Sequence, residues 1–468
     1  MLFTSFVFVC LVAATFLLYY LPALSKFQVS ILIVSSLVFY AYNQPVMVLL
    51  LLLSVGINIV SSYYIVYGDV KHKKRFAIAG VSLNLTILLF FKYSPLFAKT
   101  FFKEPGSLGE FLAAMPLPIG ISFFTFQGIS LVVDVYKEKY VKSELLVPKS
   151  FLLHAKQTLL FKGFFPQLIS GPIVKAHDFI PQIGRKSIQD VQWNCVVKNM
   201  ILGYFLKMVV ADNLKDFTFW IAFPYFQGYS SLTLLTMLFG YSCQIFADFA
   251  GYSLIAISLA KLFGYNFKDN FNFPYIATSF KDFWKRWHIS LSSFLMEYLY
   301  IPLGGNKRGK LRTGINIMIV MLLGGLWHGA AWSYAVWGGF HGAALVVERF
   351  TNEKIKIKAN IVTQIFKGLL IFSFVTLAWL LFKLPDFQHV ILYFKSIGNN
   401  IRSIDDTQLM SYIMLYSSPV LFYHLFYLLK VKSSVINVRK VEFIPYGIML
   451  FLIIVNSGSS GAFIYFQF

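Results

Sequence analysis

Two histidines in this sequence have surroundings suited to proton transfer. His328 lies in MLLGGLWHGAAWSYAVW (321–337), with Gly324 and Gly325 one turn before it, Gly329 beside it and Ala331 one turn after. Small residues let a neighbouring helix or a ligand come close and leave a channel around the imidazole. A neutral imidazole in such a channel can act as a general base, and an ionisable side chain within an apolar run is by default a functional suspect. The other reading is a histidine that only hydrogen-bonds a neighbouring helix. His288 lies in KDFWKRWHISLSSF (281–294), next to Lys285 and Arg286, whose cations suit phosphates. Trp287 and Trp327, each adjacent to one of the two histidines, are supporting candidates. His341, 13 residues after His328, falls on the opposite face of a continuous helix and reads as structural. Asp248, in CQIFADFAGYS, is a lone carboxylate between apolar runs; it needs a cationic partner, or it has a part in the chemistry. Tyr465, in GAFIYFQF (461–468), offers a phenol, which with a pKa of about 10 gives up its proton far more easily than a sugar alcohol. The sequence has no glycine-rich phosphate loop, no zinc-type histidine spacing and no G-x-S-x-G elbow, so the usual soluble kinase and hydrolase chemistries are excluded and no metal is expected.

The elements that must hold these groups are membrane helices. Of the 468 residues, 57% are hydrophobic and 13% charged, far outside the range of soluble domains. The apolar runs are continuous rather than alternating, which selects helices over a barrel. Candidate spans are 2–21, 28–43, 46–67, 76–92, 115–134, 194–212, 229–247, 250–265, 313–327, 330–348, 361–382, 408–429 and 443–462, giving an all-α polytopic protein of about 10–13 membrane helices. The first run has no basic residue ahead of it and no cleavage site, and reads as a retained span. No repeat and no linker is visible, so one domain over 1–468 is the simplest organisation. Cys10, Cys195 and Cys243 have no paired spacing.

The net charge of +21 resides in short loops between apolar runs, which fits a bilayer rather than nucleic acid. The densest basic loops, 71–75, 137–149, 352–358 and 430–440, are expected on the cytoplasmic side. Counting on from the last of them places residue 465 on the far side.

Two stretches resist a simple span. LLFKGFFPQLISGPIVKAHDFIPQ (159–182) is broken by Pro166, Gly171 and Pro172, as in a re-entrant hairpin. On a helical wheel 281–298 is amphipathic, with Phe283, Trp287, Leu291 and Phe294 on one arc, Lys281, Lys285 and Glu297 on the other, and His288 at the seam. It reads either as a membrane-surface helix or as a helix beside a substrate path.

Five motifs, PLPIGISFFTFQGISLVVDVYK (116–137), FFPQLISGPIVK (164–175), FADFAGYSLIAISLAKLFGY (246–265), NFPYIATSFKDFWKRWHISLSSFLMEYLYIPLGGNKRG (272–309) and LLGGLWHGAAWSYAVWGGFHG (322–342), together resemble the membrane-bound O-acyltransferases. Their likeness is strongest to the bacterial branch of peptidoglycan O-acetyltransferases and alginate acetylation proteins, and it defines a motif-bearing core over 110–345. The resemblance implies a ring of helices around a central funnel, with acyl donor entering from the cytoplasm and acceptor from outside. It places the family's intramembrane histidine on His328, its W-H-I-S histidine on His288 and its D-F-x-G-Y aspartate on Asp248. It also implies acetyl-CoA as donor, an inner-membrane location, and a cell-wall polysaccharide as final acceptor through a periplasmic O-acetyltransferase. Phe463-x-Tyr465-x-x-Phe468 is similar to the F-x-Y-x-x-F ending of the small partner of the teichoic acid D-alanylation enzyme, in which the tyrosine is an acyl relay. The other reading of these residues is an aromatic interfacial end of a last helix. Alginate acetylation and D-alanyl transfer are rival activities, and a non-enzymatic transporter is a rival of another class; no inverted repeat or set of paired intramembrane charges supports the last.

Overall fold

The computed structural model describes residues 1–102, 106–168, 171–354, 360–432, 443–459 and 461. The described residues are predominantly helical, without strands, and eight helices among them are long and apolar enough to cross a membrane. Two shorter apolar helices accompany them. The chain is a multi-pass membrane protein. It folds as two compact units, Met1–Val197 with Ile255–Lys268, and Lys198–Leu254 with Asp269–Phe468.

The first unit contains α1 (Phe6–Tyr20), α2 (Gln28–Ala41), α3 (Met47–Tyr67), α4 (Lys73–Phe101), α5 (Ile121–Lys137) and α6 (Phe151–Gly163). Between apolar helices in lipid no hydrophobic force favours contact, so small and polar side chains hold them together. Asn58 of α3 and Asn84 of α4 exchange side-chain hydrogen bonds of 3.1 Å in both directions. Gly128 of α5 covers them, and a β-carbon there would lie 2.6 Å from Asn58 Nδ2. After α6 the chain forms only short helical pieces at Phe165–Leu168, Ala176–Phe179 and Ile180–Gln182, as the prolines and glycine of 159–182 anticipate. Their described residues are mostly buried in protein, where such broken backbone is tolerated.

The second unit begins within α7 (Trp193–Tyr204), which continues through a π-helical stretch, Phe205–Ala211, into α8 (Asp212–Thr218). Then follow α9 (Ser231–Leu262), α10 (Phe280–Arg286), α11 (Ile289–Leu295), α12 (Gly309–His328), α13 (Trp332–Lys354), α14 (Ile361–Ala378), α15 (Leu380–Lys383), α16 (Phe387–Asn399), α17 (Thr407–Lys432) and α18 (Phe443–Val455).

Three elements differ from the sequence reading. The spans read at 229–247 and 250–265 form one 32-residue helix, α9. No proline separates them, and Gly251 serves close packing instead of a turn: a β-carbon there would lie 2.8 Å from the Gly203 carbonyl oxygen of α7. The amphipathic segment 281–298 is two short helices with a break at Trp287 and His288, so the continuous wheel does not apply. The last span, read at 443–462, has a helix of 13 residues. At 1.5 Å per residue this rises about 20 Å, short of the ~30 Å hydrocarbon core. The residues that follow, 456–459, are non-helical because they bond to the π-helical stretch and α8.

Candidate active site

Helices α12 and α13 form a tight antiparallel pair whose contact is backbone on backbone. A β-carbon at Gly325 would lie 2.1 Å from the Tyr334 carbonyl oxygen, and one at Gly338 would lie 2.1 Å from that of Met321. Each glycine therefore marks a place where no larger residue fits without parting the helices. His328 is the last residue of α12 and is buried, 4% exposed. Trp327, Trp337 and Phe382 surround its ring at centroid distances of 5.1, 5.3 and 5.0 Å.

His288 reaches the same place by a reversal of the chain. Trp287 is extended (φ −100°, ψ 128°) and His288 is left-handed (φ 44°, ψ 55°), a conformation that is uncommon for a residue with a β-carbon. Asn270 holds the turn. Its carbonyl accepts the Ile289 N–H at 2.9 Å, its Oδ1 accepts from the Ser290 N–H at 3.2 Å and hydroxyl at 2.9 Å, and its Nδ2 donates to Ser253 Oγ at 3.1 Å. The Asn272 N–H donates to the Arg286 carbonyl at 2.9 Å on the other side. So fixed, the fully buried His288 ring lies 6.1 Å from that of His328, 5.7 Å from Trp327 and 4.6 Å from Phe249 of α9. Trp327 thus packs against both histidines. Trp287 packs behind the turn against Trp379 at 4.9 Å and Phe271 at 5.0 Å, a scaffolding position.

Asp248 faces elsewhere, although Phe249 beside it touches His288. Its carboxylate is 2.8 Å from Lys207 Nζ, and the same ammonium holds Asp212 at 2.7 Å. All three are buried; Lys207 lies within the π-helical stretch and Asp212 directly follows it. Lys285 is exposed, and Arg286 is engaged by Asp282 (Nε to Oδ1, 2.9 Å) and the Asn272 carbonyl (3.1 Å). Neither cation shares a described contact with the histidine pair. His341 is fully buried, 4.7 Å from Trp337 and 5.3 Å from Trp284 in ring centroids. Tyr465 lies outside the described residues. The segment leading toward it is docked: Asn213 Nδ2 donates to the Asn456 carbonyl at 3.0 Å, the Gly458 N–H to that of Met208 at 2.9 Å, and Lys215 Nζ to Ser459 at 3.2 Å.

The profile of the membrane-bound O-acyltransferase family matches residues 45–384, which contain both histidines and Asp248. The chain belongs to this family. Among individual O-acyltransferases, it is 32% identical to the peptidoglycan O-acetyltransferase of Helicobacter pylori, over 93% of this chain and 91% of that protein. It is 34% identical to the probable alginate O-acetylase of Pseudomonas aeruginosa, over 83% of this chain and 73% of the other. The teichoic acid D-alanyltransferase of Bacillus subtilis is 29% identical over 58% of this chain and 70% of its own length. The protein is accordingly an O-acyltransferase.

Sequence reading missed several residues that build this site or the ion cluster of Asp248. Lys207 was signalled by being a lone cation in the apolar run ILGYFLKMVVADNL, five residues before Asp212. Asn270 was signalled only weakly, as one of two asparagines in KDNFNF. Phe382, 54 residues after His328, had no local signal; only the packing of α15 brings it there.

Proposed function

We propose that this O-acyltransferase is an acetyltransferase of the bacterial inner membrane that accepts acetyl from cytoplasmic acetyl-CoA, passes it to Tyr465, and supplies a periplasmic O-acetyltransferase acting on peptidoglycan. The observation that carries this reading is the buried pair His288–His328, 6.1 Å apart inside an aromatic shell. Two rings at that spacing, both almost inaccessible to water, can act on opposite sides of one carbonyl. His328 takes the phenolic proton of Tyr465 as the phenol oxygen attacks the thioester carbonyl. Burial at the turn between α10 and α11 lowers the His288 imidazole to about 3. It is therefore neutral at physiological pH and offers one N–H to the carbonyl oxygen as negative charge gathers there. The C–S bond breaks, His328 returns the proton to the departing thiolate, and tyrosine carries an acetyl ester. The aromatic shell excludes water that would otherwise hydrolyse the thioester or the ester. The long, nearly full-length similarity to the Helicobacter peptidoglycan O-acetyltransferase supports peptidoglycan as the final acceptor. The similarity to the Pseudomonas alginate O-acetylase supports a second reading, in which the same chemistry serves an exopolysaccharide.

Purified protein given labelled acetyl-CoA tests the scheme. Label is expected on the peptide containing Tyr465, absent in Tyr465→Phe, and reduced about 10²- to 10⁴-fold in His328→Ala, the range for loss of a positioned base. Full labelling of Tyr465→Phe would overturn the relay, and undiminished transfer by His328→Ala would overturn the base. Acetyl groups found on cellular peptidoglycan, or on an exopolysaccharide instead, decide between the two acceptors.

A further inference from the structure

The first unit contains a cavity of about 200 Å³ between the α1–α2 turn, the start of α6 and the loop at 183–185. Lys26, Lys156 and Arg185 line it together with Ser25 and Gln157, and no carboxylate is among its lining residues. Among the described residues none of the three cations makes an ion pair. The wall is built: Gln28, 4% exposed, donates from Nε2 to the Lys186 carbonyl at 2.9 Å and accepts the Lys186 N–H at Oε1 at 2.9 Å, which fixes the loop carrying Arg185. Three like charges gathered by three separate elements repel one another, and an anion between them offsets that repulsion.

Two features define that anion. By the positive-inside rule the basic loops 71–75, after α3, and 137–149, before α6, are cytoplasmic. Counting back from the former through α3 and α2 puts the α1–α2 turn on the same side, at the ends of apolar helices, where headgroups lie. Exposed apolar side chains adjoin the cavity: Leu153, which lines it, is 46% exposed, and Leu152 and Phe27, each next in the chain to a lining residue, are 78% and 48% exposed. A water-soluble phosphate has no use for such a rim, whereas acyl chains do. The volume also falls below the roughly 300–1,000 Å³ of clefts that enclose drug-sized ligands, but suits one phosphodiester headgroup. We propose that this cavity binds the phosphate headgroup of an anionic phospholipid from the cytoplasmic leaflet.

The test is binding of short-chain phosphatidylglycerol to the full-length protein in a neutral detergent, with phosphatidylcholine and inorganic phosphate as comparison probes. Each basic side chain near an anionic headgroup is worth about fivefold in affinity, so Lys156→Gln/Arg185→Gln should weaken phosphatidylglycerol binding about thirtyfold. Lys74→Gln, an exposed cation of α4, should leave it unchanged. Equal weakening by Lys74→Gln, unaltered binding by the double variant, or inorganic phosphate binding as tightly as the lipid would each overturn the proposal. The readout is lipid binding, not acetyl transfer, so its failure would leave the proposed reaction untouched.

Discussion

Replacing Lys207 with methionine isolates what the buried ion cluster contributes. Lys207 Nζ stands 2.7 Å from Asp212 and 2.8 Å from Asp248, so the two carboxylate oxygens are at most about 5.5 Å apart. Remove the ammonium and two like charges face each other. With an effective dielectric constant of about 20 their repulsion is about 3 kcal/mol. Two charge-assisted hydrogen bonds disappear as well, and breaking a buried pair by removing one partner usually costs about 3–5 kcal/mol. Lys207→Met should therefore destabilise the second unit by about 3–5 kcal/mol, read from equilibrium unfolding in mixed detergent–SDS micelles. Asp248→Asn should cost less, because it leaves the Lys207–Asp212 pair neutral overall. The triple variant Lys207→Met/Asp212→Asn/Asp248→Asn should recover most of the loss, since it buries no net charge. A Lys207→Met protein within about 1 kcal/mol of the parent, little more than an ordinary surface substitution costs, would refute the electrostatic account. So would a triple variant no more stable than the single one.

Two further outcomes follow from the site's scaffold. Asn270→Ala removes the side-chain bonds to Ser290 and Ser253, and should cost about 1–3 kcal/mol in unfolding free energy and lower kcat for acetyl transfer more than it changes KM, because the His288 turn loses its latch. Gly338→Ala places a β-carbon 2.1 Å from the Met321 carbonyl oxygen, so the α12–α13 pair must part; about 1–3 kcal/mol of destabilisation and a fall in transfer rate are expected, measured by the same unfolding and transfer assays.

What was legible in the sequence was whatever composition, spacing or a motif carries by itself. The helical membrane class followed from apolar run lengths, and His328 stood out because its glycines are local neighbours. One of them, Gly325, proves to be a backbone contact point of α12 with α13, so the signal was physical as well as textual. The pairing of His288 with His328 was not legible from periodicity. A wheel assumes one helix through 281–298, whereas Asn270, 18 residues before His288, imposes a left-handed turn through tertiary hydrogen bonds. Asp248 was readable as a carboxylate needing a cation, but not which cation, because Lys207 is 41 residues away and only the close approach of α9 to α7 at Gly251 joins them. The fusion of two spans into α9 escaped for a related reason. A glycine in an apolar run signals either a turn or a close contact, and only the neighbour decides which.

The docking of residues 456–459 links the ion cluster to the proposed acyl relay. Gly458 donates to Met208, the residue after Lys207, and a β-carbon on Gly458 would lie 2.6 Å from the Asn213 nitrogen, the residue after Asp212. The backbone stretch that carries two members of the cluster is therefore also the surface on which this segment rests. Tyr465 is seven residues beyond Gly458, and a chain of that length reaches at most ~25 Å. In the proposed relay, the bond at Gly458 sets the fixed point from which the phenol is delivered. In that proposed relay, the charges of Lys207, Asp212 and Asp248 bear on acyl transfer without touching the thioester: they hold the backbone on which residues 456–459 rest.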